Sequence, residues 1–108
     1  MTTYKRVSRD ANHVSIVREL EAAFISVTDT AMVGAGFPDI VVGAFGVTLL
    51  VELKSSRKIN HRKKGEARNA KQIEFAKTWK GAPVLCVTTT SEIFTALAQC
   101  ARRLHPAT

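Results

Sequence analysis

Two short apolar runs on either side of a glycine-bounded turn constrain the fold of this chain more than any other feature. Residues 39–42 lead into the turn at 43–46, and residues 47–54 run back. Apolar runs bounded by glycines are the expected signal of a β-hairpin. Residues 48–51 lack polar alternation, which predicts a strand that is buried on both faces.

The register of this hairpin decides which side chains share a face of the sheet. With residues 44–45 as the turn, Asp39 lies opposite Leu50. Side chains alternate along a strand, so Asp39, Glu52 and Lys54 are predicted to point to one face. Glu52 is then the diagonal neighbour of Asp39, with Cα atoms about 7–8 Å apart. The sequence therefore predicts two carboxylates and one ammonium group together.

The remaining elements follow from periodicity and from capping residues. They are a helix from Asp10 or Asn12 to about Phe24, a strand within 25–33, a helix over about 67–80, a strand over 82–88, and a last helix capped by Ser91. The predicted order is α-β-β-β-α-β-α. Since a helix joins the third and fourth strands, we expect an α/β sandwich whose mixed central sheet is flanked by helices.

Helical spacing also predicts which helix residues face the core. The predicted inward side chains are Val14, Val17, Leu20, Ala23 and Phe24 in the first helix; Ile73, Ala76 and Trp79 in the second; and Ile93, Phe94, Leu97, Ala98 and Ala101 in the last.

Two carboxylates and a lysine on one face of a sheet need a physical explanation. Buried carboxylates repel each other and lose hydration, and a divalent cation between them removes the conflict. Mg²⁺ prefers such hard oxygen ligands and keeps several waters, which suits phosphodiester hydrolysis. The alternative is an ordinary Glu52–Lys54 pair on a solvated strand. The buried character of residues 48–51 argues against that alternative.

The charge of the chain indicates a polyanionic partner. Its 16 Lys and Arg residues outnumber 9 Asp and Glu residues, giving a net charge of +7. Much of the excess lies between Lys54 and Lys71, where only Glu66 opposes it. We expect residues 55–69 to form a mobile basic loop. The basic side chains predicted to contact phosphates are Arg57, Lys58, Arg62, Lys63, Lys64, Arg68 and Lys71.

Length and composition favour a single soluble domain over residues 1–108. The chain contains no apolar run of membrane-spanning length, and residues 1–10 lack the apolar stretch of a signal peptide. We therefore expect a cytoplasmic protein, in a bacterium or a phage-infected cell. Cys86 and Cys100 are predicted to be reduced core residues.

These motifs together resemble a known superfamily. Residues 36–39 read Gly-Phe-Pro-Asp, residues 50–54 read Leu-Val-Glu-Leu-Lys, and a basic stretch and Gln72 follow. This order is similar to that of the PD-(D/E)xK nucleases. Within them the chain resembles the stand-alone VRR-NUC (virus-type replication-repair nuclease) domains of phages and bacteria. The resemblance covers nearly the whole chain and implies a restriction-endonuclease-like fold.

The resemblance assigns roles to individual residues. Asp39, Glu52 and the backbone carbonyl of Leu53 would bind Mg²⁺ or Mn²⁺, and Lys54 would be the catalytic lysine. Gln72 matches a glutamine that such nucleases often carry on the next helix. Its helical projection places it inward, where an amide that caps nearby backbone is an equally good interpretation.

His13 stands where relatives often carry a metal-binding glutamate. Its projection places it on the buried side of the first helix. Either His13 contacts the metal or its waters, or the site has one acidic ligand fewer. A histidine on an apolar face is more often a hydrogen-bonded structural residue, and we favour that interpretation.

The resemblance implies a metal-dependent DNA endonuclease. Nothing in the sequence suggests an element that reads base edges, so structure-selective cutting of branched DNA such as Holliday junctions is expected. Cutting two strands needs two sites, and hence a homodimer. One alternative is a nucleic-acid-binding domain that keeps the nuclease fold without catalysis. Another is an RNA-directed nuclease.

Overall fold

The computed structural model describes residues 11–54 and 62–106, and for residues 62–69 it describes only the helical backbone. The elements are α1 (Ala11–Ala22), β1 (Ser26–Asp29), β2 (Ile40–Ala44), β3 (Val47–Leu53), α2 (Arg62–Thr78), β4 (Leu85–Val87) and α3 (Thr90–Leu104). This order confirms the predicted α-β-β-β-α-β-α arrangement. Within the described ranges, no helix is long and apolar enough to cross a bilayer.

The four strands form one mixed sheet in the order β1-β2-β3-β4. The first three strands are antiparallel neighbours, and β4 lies parallel to β3. A parallel neighbour requires a crossover connection, and α2 lies within the segment that joins β3 to β4. The fold is thus compatible with a restriction-endonuclease-like α/β architecture.

The hairpin between β2 and β3 turns one residue later than predicted. Ala44 pairs with Val47, so Phe45 and Gly46 form the turn. Both have positive φ angles, 57° and 76°, as in a type I′ turn. Gly46 adopts this conformation without strain, because glycine has no Cβ. The Phe45 side chain is 66% exposed, so it contributes little to the core.

The later turn moves the register by two residues. Ile40 pairs with Val51. Continuing this register by one residue places Asp39 directly opposite Glu52, rather than opposite Leu50 with Glu52 on the diagonal. A shift of two residues preserves the alternation of side chains, so the prediction of a shared face for Asp39 and Glu52 survives the error.

One face of the sheet carries the hydrophobic core. Ile40, Val42, Leu49 and Val51 are buried there. The helices α1 and α3 contact the sheet and each other. Their buried apolar side chains complete this core: Ile16 and Leu20 from α1, and Ile93 and Leu97 from α3.

The predicted inward faces of α1 and α3 were wrong at four positions. Val14 is 38% exposed, Phe24 is 96% exposed and Phe94 is 39% exposed, and Ala23 is exposed as well. Phe24 fails because α1 ends at Ala22, and Phe24 itself has a φ of 63°, so a helical projection does not apply to it. In α1 the buried apolar side chains are Leu20, as predicted, and Ile16, which was not predicted.

The last helix begins earlier than predicted because Thr89, not Ser91, caps it. The Thr89 hydroxyl accepts a hydrogen bond from the Glu92 amide, and the Glu92 side chain returns to the Thr89 backbone. Hydrogen bonds from the Thr88 backbone and the Thr89 side chain lower the pKa of Glu92. This capping box fixes the chain immediately after β4.

The second helix also differs from its prediction. It begins at Arg62 rather than near residue 67, so residues 62–69 are helical and not part of a loop. Residues 55–61 lie outside the described residues. Ile73 and Trp79 were predicted to face inward, yet they are 56% and 42% exposed, and Ala76 is exposed too. The reason is that α2 packs against the loop before β2, as described below, instead of covering the core.

Candidate functional site

Glu52 is a buried carboxylate near the end of β3. Only 6% of its surface is exposed. Alternation along the strand puts it on the face opposite to Val51, which belongs to the core beneath α1 and α3. By the observed register, Asp39 lies across from Glu52 on the same face. Directly opposite residues have Cβ atoms about 4.5–5.5 Å apart, so the two carboxyl groups converge.

Asp39 is held in place from two directions, through its carboxylate and through the backbone around it. The Leu53 amide donates to Asp39 Oδ2 at 2.8 Å. On the other side, the Thr30 amide donates to the Asp39 carbonyl at 2.8 Å, and the Thr30 hydroxyl donates to the Pro38 carbonyl at 2.7 Å. Pro38 is buried and rigid. The carboxylate is thereby fixed at the point where β2 begins.

Gln72 connects the lysine to the buried glutamate. Lys54 Nζ donates to Gln72 Oε1 at 2.8 Å, and Gln72 Nε2 donates to Glu52 Oε2. Lys54 Nζ also lies 3.8 Å from Glu52 Oε2. An amide can donate and accept at once, so Gln72 orients both charged groups. These contacts place three of the predicted site residues in one hydrogen-bonded set.

Gly36 explains how α2 comes close enough for Gln72 to reach the strands. It has a φ of 82°. A Cβ at this position would lie 2.6 Å from the Lys71 carbonyl carbon and would overlap the Lys71 carbonyl oxygen. The loop before β2 and the backbone of α2 therefore touch directly at the residue before Gln72. Only glycine permits both the conformation and the contact.

Aromatic contacts continue the same attachment along α2. The Phe37 ring meets Phe75 edge-on with centroids 5.3 Å apart, and Phe75 stacks on Trp79, also at 5.3 Å. Phe75 and Gln72 are both half-buried. The Gly-Phe-Pro-Asp segment thus anchors the second helix as well as placing Asp39.

Cys86 lies beside the site, although the sequence had suggested a core residue. It pairs with Glu52 in the β3–β4 register and its side chain is exposed. Its pKa is raised, mainly by partial burial of the sulfur. The positive charge of Lys54 opposes this rise, and the carboxylates of Glu52, Glu92 and Asp39 add to it. The Cys86 thiol therefore lies close enough to Asp39, Glu52 and Lys54 for their charges to change its pKa.

His13 faces away from the carboxylate pair. It is buried, and its Nε2 lies 3.1 Å from Asp29 Oδ2. Asp29 pairs with Ile40, whose side chain belongs to the core face, so this contact lies on the side of the sheet covered by α1. The Asp29 carboxylate also accepts the Ala31 amide at 3.0 Å. The contact with Asp29 fits the interpretation of His13 as a hydrogen-bonded residue, and its role stays a prediction.

The donor set fits a hard divalent cation that keeps part of its water shell. Asp39 and Glu52 offer carboxylate oxygens, and the Leu53 carbonyl lies between Glu52 and Lys54 in the chain. Among the side chains that the structure describes, no three of the His, Cys, Asp and Glu type group together as a metal site. An ion here would thus depend on the carboxylate pair, a main-chain oxygen and water, as Mg²⁺ tolerates.

Most of the basic residues predicted to contact phosphates have side chains outside the described part of the chain. Residues 57–58 lie outside the described residues, and the side chains of residues 62–69 do as well. Lys71 is exposed, one residue before Gln72. Of the residues predicted to contact phosphates, it is the one whose side chain the structure describes.

Fold and site together define a class of protein: a mixed-sheet α/β domain with the acidic, acidic and lysine arrangement of the PD-(D/E)xK nucleases. Residues 8–103 match the family model of the archaeal Holliday junction resolvases (Hjc), so the chain belongs to this nuclease family. The chain shows no significant match to a curated protein or to a solved structure.

The contact at Gly36 generates a prediction, and Gly34 provides its control. Both glycines have positive φ, but nothing lies within 4 Å of a Cβ at Gly34. Gly34→Ala should lower the free energy of unfolding by about 1–2 kcal/mol through backbone strain alone. Gly36→Ala adds overlap with α2 and should cost about 2–4 kcal/mol. Thermal unfolding and the fluorescence of Trp79, the sole tryptophan, measure both. Equal losses in the free energy of unfolding for the two variants would show that Gly36 does not contact α2.

The charges around Cys86 generate a second prediction. In a Cys100→Ser background, Glu52→Gln removes a negative charge near the thiolate, so the Cys86 pKa should fall and alkylation at a fixed pH below the pKa should accelerate. Lys54→Ala removes a positive charge, so the pKa should rise and alkylation should slow. The pH dependence of iodoacetamide labelling measures both. Shifts of the same sign in the two variants would show that the charges do not converge.

Proposed function

We propose that the chain is a metal-dependent endonuclease that cuts branched DNA of the Holliday-junction type. The observation that carries the proposal is the set of Asp39, Glu52 and Lys54 at one end of the sheet, in a chain of the Hjc family. The name of that family describes resolvases of Holliday junctions. The narrower assignment to the VRR-NUC domains of phages and bacteria stays a prediction.

Each residue of the site can have a separate role in phosphodiester hydrolysis. Asp39, Glu52 and the Leu53 carbonyl would hold Mg²⁺ or Mn²⁺. A bound ion of this kind lowers the pKa of a coordinated water and polarises the scissile phosphate. The Lys54 ammonium can neutralise charge that develops on a phosphate oxygen. Gln72 holds that ammonium 2.8 Å from its own carbonyl oxygen and so keeps it beside Glu52.

Loss of any of the three charged groups should abolish cleavage. We expect Asp39→Asn, Glu52→Gln and Lys54→Ala each to lower the cleavage rate of a four-way junction by at least about 100-fold, since each removes an interaction with the reacting centre. The wild-type protein should cut with Mn²⁺ and not with EDTA. Glu19→Gln changes an exposed carboxylate on α1 and should leave the rate unchanged.

The same assay separates the proposal from its alternatives. Metal-dependent cutting by Glu52→Gln at the wild-type rate would exclude the proposed site. Junction binding by the wild type with no cleavage under any metal would favour a binding domain that only keeps the fold. Preference for matched RNA over DNA would favour an RNA-directed nuclease.

Electrostatic contacts from the basic stretch should give salt-dependent binding. Neutralising Arg62, Lys63 and Lys64 to Gln should reduce the slope of log K against log salt by about 2–3, if each contacts one phosphate. A control away from the site is neutralisation of Arg102 and Arg103 to Gln, which removes two positive charges and should leave the slope unchanged. These residues lie at the end of α3, and that end packs beside the Gly46 turn, at the far end of the hairpin from Asp39. A slope unchanged by the triple substitution would exclude the basic stretch from the interface.

The apolar outer surface of α2 supports a homodimer, which two-strand cutting needs. Ile73 is 56% exposed, and Ala70 and Ala76, about one turn away on either side, are exposed too, on a helix that otherwise carries many charges. Apolar side chains left exposed on a helix are typical of surfaces that pair with another chain. Two copies related by a two-fold axis would present two sites to a junction.

Ile73 provides the test of this dimer. Ile73→Glu should shift the protein from dimer to monomer in sedimentation velocity and stop paired cutting of a junction, because a buried charge opposes association. Ile73→Leu keeps the apolar surface and should behave as the wild type. A wild-type protein that sediments as a monomer at micromolar concentration would contradict the proposal, as would a dimeric Ile73→Glu variant.

A further inference from the structure

Asn12 links the start of α1 to the ends of two strands. Its side-chain Nδ2 donates to the Lys54 carbonyl at 3.1 Å and to the Thr88 carbonyl at 3.2 Å. Both partners are acceptors only, so the amide nitrogen uses its two hydrogens to hold them. These partners lie 42 and 76 residues away in the chain. The contact is therefore tertiary and does not serve as a helix cap.

The main chain of Lys54 is consequently fixed on both sides. Its amide donates to the Val87 carbonyl at 2.8 Å, and its carbonyl accepts from Asn12. Lys54 directly follows the last residue of β3, where the regular strand pairing stops. Without Asn12, the Lys54 backbone would keep the bond of its amide to β4 and would lose the bond at its carbonyl. Residues 55–61, which come next, lie outside the described residues.

Holding this backbone matters because the lysine side chain is long and flexible. Four methylene groups separate Cα from Nζ, and the side chain is 36% exposed. The position of Nζ beside Gln72 and Glu52 then depends on where its Cα sits and in which direction it points. A small displacement of a reacting group can reduce a rate by as much as about 100-fold. The adjacent Leu53 carbonyl shares its peptide plane with the Lys54 amide, so the bond of that amide to the Val87 carbonyl orients it.

We infer that Asn12 is a positioning residue for the nuclease reaction, which holds the Lys54 backbone so that the ammonium group meets the carboxylate pair. This inference rests on the proposed function. Asn12 acts through Lys54 and takes no part in phosphate or metal binding. Its contribution is expected in the rate of the chemical step and not in DNA affinity.

The experiment compares Asn12→Leu with the wild type on a four-way junction in Mn²⁺. Leucine has a similar size and lacks donors. We expect the single-turnover cleavage rate to fall by about tenfold or more, while the dissociation constant measured in Ca²⁺ changes less than about twofold, as for a group outside the DNA contact. Asn12→Ser keeps one donor and should show a smaller loss of rate.

A second variant separates positioning from general destabilisation. Val17 lies on the same helix and packs against the core. Val17→Ala should lower the unfolding temperature and leave the cleavage rate unchanged below that temperature. Amide hydrogen exchange should accelerate at Lys54 in Asn12→Leu, while exchange at Val51 in the middle of the core should stay as in the wild type.

Each result supports or overturns the inference. A wild-type cleavage rate in folded Asn12→Leu would overturn it, as would a loss matched by Val17→Ala or a loss confined to DNA affinity. Unchanged exchange at the Lys54 amide would overturn it even if the variant folds poorly at higher temperature. An inactive wild-type protein would instead overturn the proposed function, and this inference with it.

Discussion

The structure depends on the placement of a buried carboxylate, Glu52, on the face of β3 that the core does not use. A charged group that is only 6% exposed requires partners, because burial removes its hydration. Lys54 and Gln72 supply two of them from the adjacent strand end and from α2. Asp39 brings a second negative charge to the same place. The local excess of carboxylate oxygen gives a cation a reason to bind, and Leu53 places a carbonyl oxygen next to it in the chain.

The Gly-Phe-Pro-Asp segment contributes to this site and also attaches α2 to it. Asp39 contributes a carboxylate, and Pro38 receives the Thr30 hydroxyl. Phe37 and Gly36 attach α2 through an aromatic contact and a backbone contact. Since α2 carries Gln72, the attachment of the helix and the orientation of Lys54 are coupled. This arrangement leaves other apolar side chains of α2, Ile73 above all, exposed on its outer surface.

The sequence predicted the element order and the shared face of Asp39 and Glu52, because both follow from alternation and from glycine boundaries. It placed the turn one residue too early. No local signal shows that Phe45 adopts a positive φ and forms the turn together with Gly46. It also directed Ile73 inward, because periodicity cannot tell a helix that covers a core from one that packs on a loop. Contacts between distant parts of the chain, such as Asn12 with Lys54, had no sequence signal at all.

Binding of Mn²⁺ at the carboxylate pair is the claim on which this account depends, and paramagnetic broadening in nuclear magnetic resonance spectra measures it directly. Titration of the wild-type protein should first broaden the amide signals of Asp39, Glu52 and Leu53, and Glu52→Gln should suppress this broadening at the same Mn²⁺ concentration. Broadening centred on His13 and Asp29, or broadening at the strand ends that survives in the Glu52→Gln variant, would contradict the account.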